Sequence, residues 1–295
     1  MTSPSDPAPT TGRALVNGLD LAYLEMGQGP LAICLHGFPD TAWSWRHLMP
    51  ALADAGYRAV APFLRGYSPT IAPADQNGQT GASVADICAL HEALGGGSDA
   101  VLIGHDWGAV ITYGCAVHAP DRWRRVVAAS VPPGPVMVQA FMDYDQLQRS
   151  WYMFFFLNPL SDLVVPLNDL GFIDRLWADW SPGYDGAADA ARAREALRDP
   201  AALATALDFY RSSLGGAEGD PRYADQQAAV GAVPPQPCLY LHGTEDRCIG
   251  VEYAAPTEPL LAPSSAVKTI DGAGHFLQLE QPDTVNELIL EFLRA

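Results

Sequence analysis

The run Val101-Leu102-Ile103-Gly104-His105-Asp106-Trp107-Gly108-Ala109-Val110 carries an apolar, strand-like segment into Gly-x-Asp-x-Gly and then into a helix-like one. Strand, sharp turn and helix in that order describe a nucleophile elbow. A residue at such an apex sits in strained backbone, and its neighbours need small side chains to avoid clashes. Most elbows present serine, which attacks acyl carbon. Here the apex is Asp106. A carboxylate suits attack on saturated carbon, because the alkyl ester it forms can be cleaved by water. An aspartate before a helix is also an ordinary N-cap, so the other strand ends must decide between the two readings.

Open α/β sheets bind ligands at the carboxyl ends of their strands. After Pro30–Leu35 comes His36-Gly37-Phe38-Pro39-Asp40. Gly37 lets that loop turn, and the Phe38 N–H can face the site. With the N–H of Trp107 it would make an oxyanion hole. Phe38-Pro39 is a candidate cis peptide. After Arg58–Pro62, the turn Arg65-Gly66-Tyr67-Ser68-Pro69-Thr70 is suited to pack beneath the nucleophile loop. After Pro237–Leu241, Glu245 and Asp246 compete as the acid that orients a histidine, with Asp246 preferred. The strand ending at Ser130 is followed by Val131-Pro132-Pro133 and offers no acid. After Ala266–Ile270, His275 lies in a glycine-rich loop that suits a general base. His36 and His105 flank the site, whereas His47, His91 and His118 fall on helix-like segments. Nucleophile, acid and histidine thus run in the order Asp106, Asp246, His275, each after a strand.

The elements that must position these residues alternate. Strand-like runs at Leu19–Glu25, Pro30–Leu35, Arg58–Pro62, Ala100–Gly104 and Arg125–Ser130 are interleaved with helix-like Ser44–Ala55, Ser83–Leu94 and Trp107–His118. Pairs recur after Pro235 and end in a helix over Asp283–Leu293. This alternation predicts a mostly parallel sheet with helices on its faces. Between about Pro132 and Val233 aromatic and Ala-rich helical segments take over, which reads as an inserted helical cap. The expected division is a disordered arm over 1–12, a core over 13–131 and 234–295, and the cap over 132–233.

Composition narrows the partners. The net charge of −17 argues against nucleic acid and anionic membrane surfaces. No apolar run could span a bilayer, and the first residues lack a signal peptide's basic and apolar regions. The five cysteines are scattered, with no metal-ligand spacing, as in a reduced, cytoplasmic protein. No metal or other cofactor is expected.

Taken together, these residues resemble the α/β-hydrolase fold, and within it the epoxide hydrolases that use an aspartate nucleophile. His36-Gly37-Phe38-Pro39 with Trp43-Ser44-Trp45-Arg46, the Arg65–Thr70 turn, Gly104-His105-Asp106-Trp107-Gly108, and Gly274-His275-Phe276 followed by Gln278, Glu280 and Pro282 are each similar to that family's motifs. The resemblance implies an eight-stranded, mostly parallel sheet with helices on both faces and a helical cap. It also implies two cap tyrosines that bind the epoxide oxygen. Ser150-Trp151-Tyr152 resembles the segment holding the first and Asp208-Phe209-Tyr210-Arg211 the segment holding the second, ahead of Tyr144, Tyr184 and Tyr223.

The implied reaction is hydrolysis of a small apolar epoxide to a vicinal diol. Asp106 opens the ring, Tyr152 and Tyr210 supply the proton, and His275, held by Asp246, activates water against the resulting ester. His36, Pro39, Trp107, Trp151 and Phe155 are expected to line the substrate pocket. A homodimer is left open. Haloalkane dehalogenases share the fold and the nucleophile, but they cradle a halide with a donor side chain where this chain has Phe38. The reading from another class is a non-catalytic small-molecule receptor, against which the full Asp-Asp-His set counts.

Overall fold

The computed structural model describes residues 8–295 apart from 72, 76 and 217. Its strands are β1 (Thr10–Val16), β2 (Leu19–Gly27), β3 (Leu31–Leu35), β4 (Arg58–Pro62), β5 (Ala100–His105), β6 (Trp123–Ala129), β7 (Cys238–Gly243) and β8 (Ala266–Ile270). They form one eight-stranded sheet in the order β1-β2-β4-β3-β5-β6-β7-β8. β1 pairs antiparallel with β2, and β2 with β4; the remaining neighbours are parallel. Every residue of β3 and β5 is buried, as expected of central parallel strands covered on both faces.

Register carries the site. Leu35 of β3 pairs with Gly104 of β5, Ala129 of β6 with Leu241 of β7, and Gly243 of β7 with Ile270 of β8. The loops that begin at His36, Asp106, Thr244 and Asp271 therefore leave the sheet along one edge.

The chain departs from its sequence reading at two places in the first half. Of the arm expected to be disordered over 1–12, residues 1–7 lie outside the described residues, and Thr10–Gly12 belong to β1. β1 is an edge strand exposed along most of its length, so it lacks the apolar alternation that betrays a strand. The single helix expected over Ser44–Ala55 is a 3-10 turn at Ala42–Trp45 followed by α1 (Leu48–Asp54). A continuous helix would put Pro50 in its interior, without a donor and against the carbonyl one turn earlier; the break moves Pro50 into a first turn.

Helices α2 (Thr80–Ala93) and α3 (Trp107–His118) pack together. Between β6 and β7 the described residues form only helices: α4 (Gly134–Ala140), α5 (Tyr144–Arg149), α6 (Trp151–Phe156), α7 (Ser161–Val164), α8 (Leu167–Trp180), α9 (Ala187–Ala196), α10 (Pro200–Leu214) and α11 (Ala224–Val230), with a short 3-10 turn before α11. α8 opens on a left-handed turn at Asn168, Asp169 and Leu170. α11 packs on α2 and α3. Later come α12 (Ala254–Thr257), α13 (Leu277–Glu280) and α14 (Pro282–Arg294), which packs on α1.

The inserted helices are tied to the sheet by polar contacts as well as packing. Arg46 grips Asp189 of α9 with two hydrogen bonds of 2.8 and 3.0 Å, and the Tyr184 hydroxyl donates to the same carboxylate. The Trp177 indole donates to the Pro39 carbonyl at 2.8 Å while its ring stacks on Phe276. One cap residue thus braces the loops after β3 and β8. At the far edge of the sheet, β8 exposes Lys268, the chain's only lysine. A charge on an edge strand discourages pairing with another chain. No helix among the described residues is long and apolar enough to cross a membrane.

Candidate active site

Asp106 joins β5 to α3 with φ 54° and ψ −122°, a backbone conformation that costs a side-chain-bearing residue on the order of 1–3 kcal/mol. The surroundings enforce it. A Cβ on Gly108 would stand 2.2 Å from the Leu35 carbonyl oxygen, and one on Gly37 would stand 2.3 Å from the Asp106 side chain. With both positions bare, the loop after β3 closes onto the carboxylate, and the Phe38 N–H donates to Asp106 Oδ1 at 2.8 Å. The Phe38–Pro39 peptide is cis. Trp107 follows as the first residue of α3, where backbone amides have no partner within the helix.

His275 faces the other carboxylate oxygen. Its Nε2 lies 3.5 Å from Asp106 Oδ2, too far for a good hydrogen bond, and has no hydrogen-bond partner among the described residues. Its Nδ1 meets Asp246 Oδ2 at 2.9 Å. The Asp246 Oδ1 accepts the amides of Cys248 and Ile249 at 2.8 and 3.1 Å. Glu245, the competing acid, is exposed. Burial opposes charge on Asp246, but His275, His242 and the Cys248 amide outweigh it and hold the carboxyl below its usual pKa. Burial likewise opposes charge on His275, but Asp246, Cys248 and Asp106 raise its pKa well above the imidazole norm.

The backbone of His275 is fixed on both sides. Its N–H donates to Ser181 Oγ at 2.9 Å, and its carbonyl accepts from Ser130 Oγ and His105 Nε2 at 2.7 and 2.8 Å. Glu280 accepts the amides of Gly274 and Phe276 and the hydroxyl of Ser181. Burial keeps His105 neutral, with its pKa lowered to about 3.

Two tyrosines close the site from the cap. Tyr152 of α6 and Tyr210 of α10 are fully buried, with ring centroids 5.8 Å apart. Tyr210 packs edge-on against Trp107 and Phe38 at 5.1 and 5.4 Å. Its hydroxyl has no hydrogen-bond partner among the described residues. The Tyr152 hydroxyl lies 3.3 Å from Cys248 Sγ. Burial, reinforced by the nearby Asp106 charge, raises both phenols well above their usual pKa. The other cap tyrosines lie elsewhere: Tyr144 is exposed, Tyr184 serves Asp189, and Tyr223 bonds Asn17.

A cavity of about 460 Å³ opens from Asp106 and Trp107 and runs between α3, α4 and α11, walled by Val110, Met137, Phe141, Met153, Leu214 and Val230. Four residues expected in its lining are absent from it. His36 is a buried brace: it bonds the Gly37 carbonyl at 2.8 Å and the Leu64 amide at 3.1 Å, and burial lowers its pKa to about 4. Pro39 offers only its carbonyl, to Trp177. Trp151 is half exposed and packs with Phe155 and Phe172. α6 turns about 100° per residue, so Tyr152, Met153 and Phe156 are its buried residues and Trp151 and Phe155 sit on its outer side.

Sequence reasoning did not single out Cys248, Trp177, Trp180 or Ser181. Cys248 was the most accessible to it, because an aspartate that accepts the amide two residues on makes an Asx turn and turns the loop back over the acid. Trp180 packs edge-on against His275 at 5.2 Å.

Known proteins give this geometry its context. Residues 30–282 match the alpha/beta hydrolase fold family. An epoxide hydrolase of Caballeronia sordidicola is 32% identical, over 95% of this chain and 92% of its own length. Epoxide hydrolase A of Mycobacterium tuberculosis is 30% identical, over 97% and 98%. The solved structure of a Bacillus megaterium epoxide hydrolase with an inhibitor superposes with a TM-score of 0.83 at 27% identity, covering 96% of this chain and 100% of that one.

Proposed function

The chain belongs to the α/β-hydrolase fold family and, within it, to the epoxide hydrolases, and from that premise we propose how its residues divide the work of turning an epoxide into a vicinal diol. The core, 10–131 with 234–295, supplies nucleophile, base and acid. The cap, 132–233, supplies the ring-oxygen donors and most of the pocket wall.

The two oxygens of Asp106 have different environments, and this observation carries the reading. Oδ1 accepts the Phe38 amide, while Oδ2 faces His275. Oδ2 is then the attacking oxygen. It bonds to a ring carbon as the C–O bond on the opposite side breaks, and the oxygen leaving carbon takes a proton from Tyr152 or Tyr210. Phenols held well above their usual pKa keep their protons until a base as strong as an alkoxide appears. The phenolate recovers its proton from the medium. Oδ1 becomes the ester carbonyl, already held by Phe38, with the Trp107 amide as second donor when water adds.

Ester formation also prepares the base. Once Asp106 is esterified its charge is gone, and with it one of the influences that hold the proton on His275. The neutral imidazole takes a proton from water, hydroxide adds to the Asp106 carbonyl carbon, and the tetrahedral intermediate expels the diol, which receives that proton. Asp246 keeps Nδ1 protonated and Nε2 turned to the ester.

The apolar wall, with Asp106 as its only charged residue, favours an uncharged epoxide bearing one hydrophobic substituent. Cytoplasmic residence belongs to the same proposal: all five cysteines are buried and unpaired, as in a reducing compartment. Phe38, with no side-chain donor for a halide, disfavours the dehalogenase reading.

Intact mass of a His275→Gln variant tests the scheme. After incubation with styrene oxide and 1-chlorohexane, a gain equal to one whole epoxide supports it. A gain of an alkyl group without chlorine would make the chain a dehalogenase, and no adduct from either would remove Asp106 as nucleophile.

A further inference from the structure

We propose that Asp106, Cys248 and His275 form a binding site for a soft divalent cation, zinc or cadmium, whose occupancy switches the enzyme off. A carboxylate oxygen, a thiol sulfur and an imidazole nitrogen from these residues all lie within 4.8 Å of one another, and all three side chains are buried. Carboxylate, thiolate and imidazole form a ligand set for zinc-like ions, which bind at about 2.0–2.3 Å in tetrahedral geometry, and the protons of the Cys248 thiol and of His275 leave to solvent as the ion enters. Such an ion wants its donors about 3.3–3.8 Å apart, and His275 Nε2 already stands 3.5 Å from Asp106 Oδ2.

Two buried polar atoms are left without a hydrogen-bond partner among the described residues, Nε2 of the ligand His275 and the hydroxyl of Tyr210, whose ring packs on Trp107 beside Asp106. The first is the ring nitrogen a metal would take. The second is a neutral oxygen with an unused hydrogen-bonding capacity. The outer contacts of a metal site are present as well. Asp246 holds the other nitrogen of His275 at 2.9 Å, the arrangement that orients metal-bound histidines, and it also accepts the amide of Cys248.

The cation is an inhibitor here and not a cofactor. It would occupy Asp106 Oδ2, the nucleophile, and His275 Nε2, the base, so both halves of the reaction stop together. Cys248 is what separates this site from an ordinary pairing of carboxylate and imidazole. Without its sulfur the remaining two donors form a much weaker pair.

Cadmium titration of the full chain, without substrate, tests the proposal through the ultraviolet charge-transfer band of a cadmium–thiolate bond. The expected result is a band that saturates at one cation per chain. Epoxide turnover should be lost over the same range and restored by a chelator. Cys248→Ser and Cys248→Ala, each checked for cooperative melting, should lose the band and require about tenfold more cadmium, or beyond, for half inhibition. Asp106→Asn is read through the band alone and should bind more weakly. An unchanged band in the Cys248 variants would assign the thiolate to another cysteine and overturn the proposal. Equal inhibition of wild type and both variants would do the same. The band needs no epoxide, so its absence would not touch the reading of the hydrolase reaction.

Discussion

Asp246 Oδ2 and His275 Nδ1 stand 2.9 Å apart with both residues buried, and the other oxygen of Asp246 is taken by two backbone amides. The acid is therefore rigid, and its charge helps raise the histidine's pKa. Asp246→Asn removes that charge, so the His275 pKa should fall. Hydrolysis of the ester needs neutral His275, which exists only above its pKa. The acid limb of kcat should accordingly move to lower pH, while kcat at its plateau drops by about 10⁴-fold because the tautomer is no longer held. A single-turnover pH profile checks both, and an acid limb moved to higher pH would contradict the assignment.

Tyr210 and Tyr152 differ in what their hydroxyls touch. The Tyr210 hydroxyl has no hydrogen-bond partner among the described residues, whereas that of Tyr152 lies against Cys248. Tyr210→Phe should leave the melting temperature level or slightly raised, since removing an unpaired buried hydroxyl leaves no group unsatisfied. Either Phe variant should slow ester formation by about 10²–10³-fold, and the double variant should abolish it. Stopped-flow quenching of tryptophan fluorescence would resolve that step.

The backbone at Asp106 stores strain that a paired substitution can isolate. Asp106→Gly and Asp106→Ala both lose the carboxylate, and both leave the Phe38 amide without its acceptor. They differ in tolerance for φ 54°, ψ −122°. Glycine should be the more stable variant by about 1–3 kcal/mol, opposite to its usual standing in an ordered segment. Urea denaturation of the two inactive proteins measures the difference.

Asp40 sits at the join of core and cap, buried, with Oδ2 unpartnered among the described residues. Burial pushes its carboxyl up from 3.8 to about 7. Across that window the folded chain keeps a proton that the unfolded chain has lost, so this group's contribution to stability falls as pH rises. Above about pH 7 the penalty is complete, on the order of 2–4 kcal/mol. Asp40→Asn should melt like the wild type near pH 4 and at a higher temperature at pH 8. Equal shifts at both pH values would show that the residue does not titrate this way.

The strand ends were the most legible part of this chain because two signals coincide there. Short apolar runs mark β3 and β5, and the residues that follow are chemically distinctive: His36-Gly37-Phe38 and Asp106. Edge strand β1 had no such contrast, being solvated along most of its length. The cap tyrosines were reachable only through family resemblance, since composition cannot separate Tyr210 from Tyr223. The lining residues were misjudged where a helix had to be given a rotational phase: Trp151 and Tyr152 are adjacent in sequence yet differ in burial on α6. Trp177 escaped because its role depends on a contact across 138 residues of chain, which no local pattern encodes.

The solitary lysine on β8 acquires a meaning from the reaction. Epoxides alkylate thiols and amines wherever they find them. This chain buries all five of its thiols and carries one lysine among 295 residues, with its positive charge entrusted otherwise to guanidinium groups, which stay protonated and are poor nucleophiles. Of the two kinds of side chain that electrophiles mark most lastingly, thiols and amines, this surface thus exposes a single amine. In the active site the attack falls to the carboxylate of Asp106, where water can undo it.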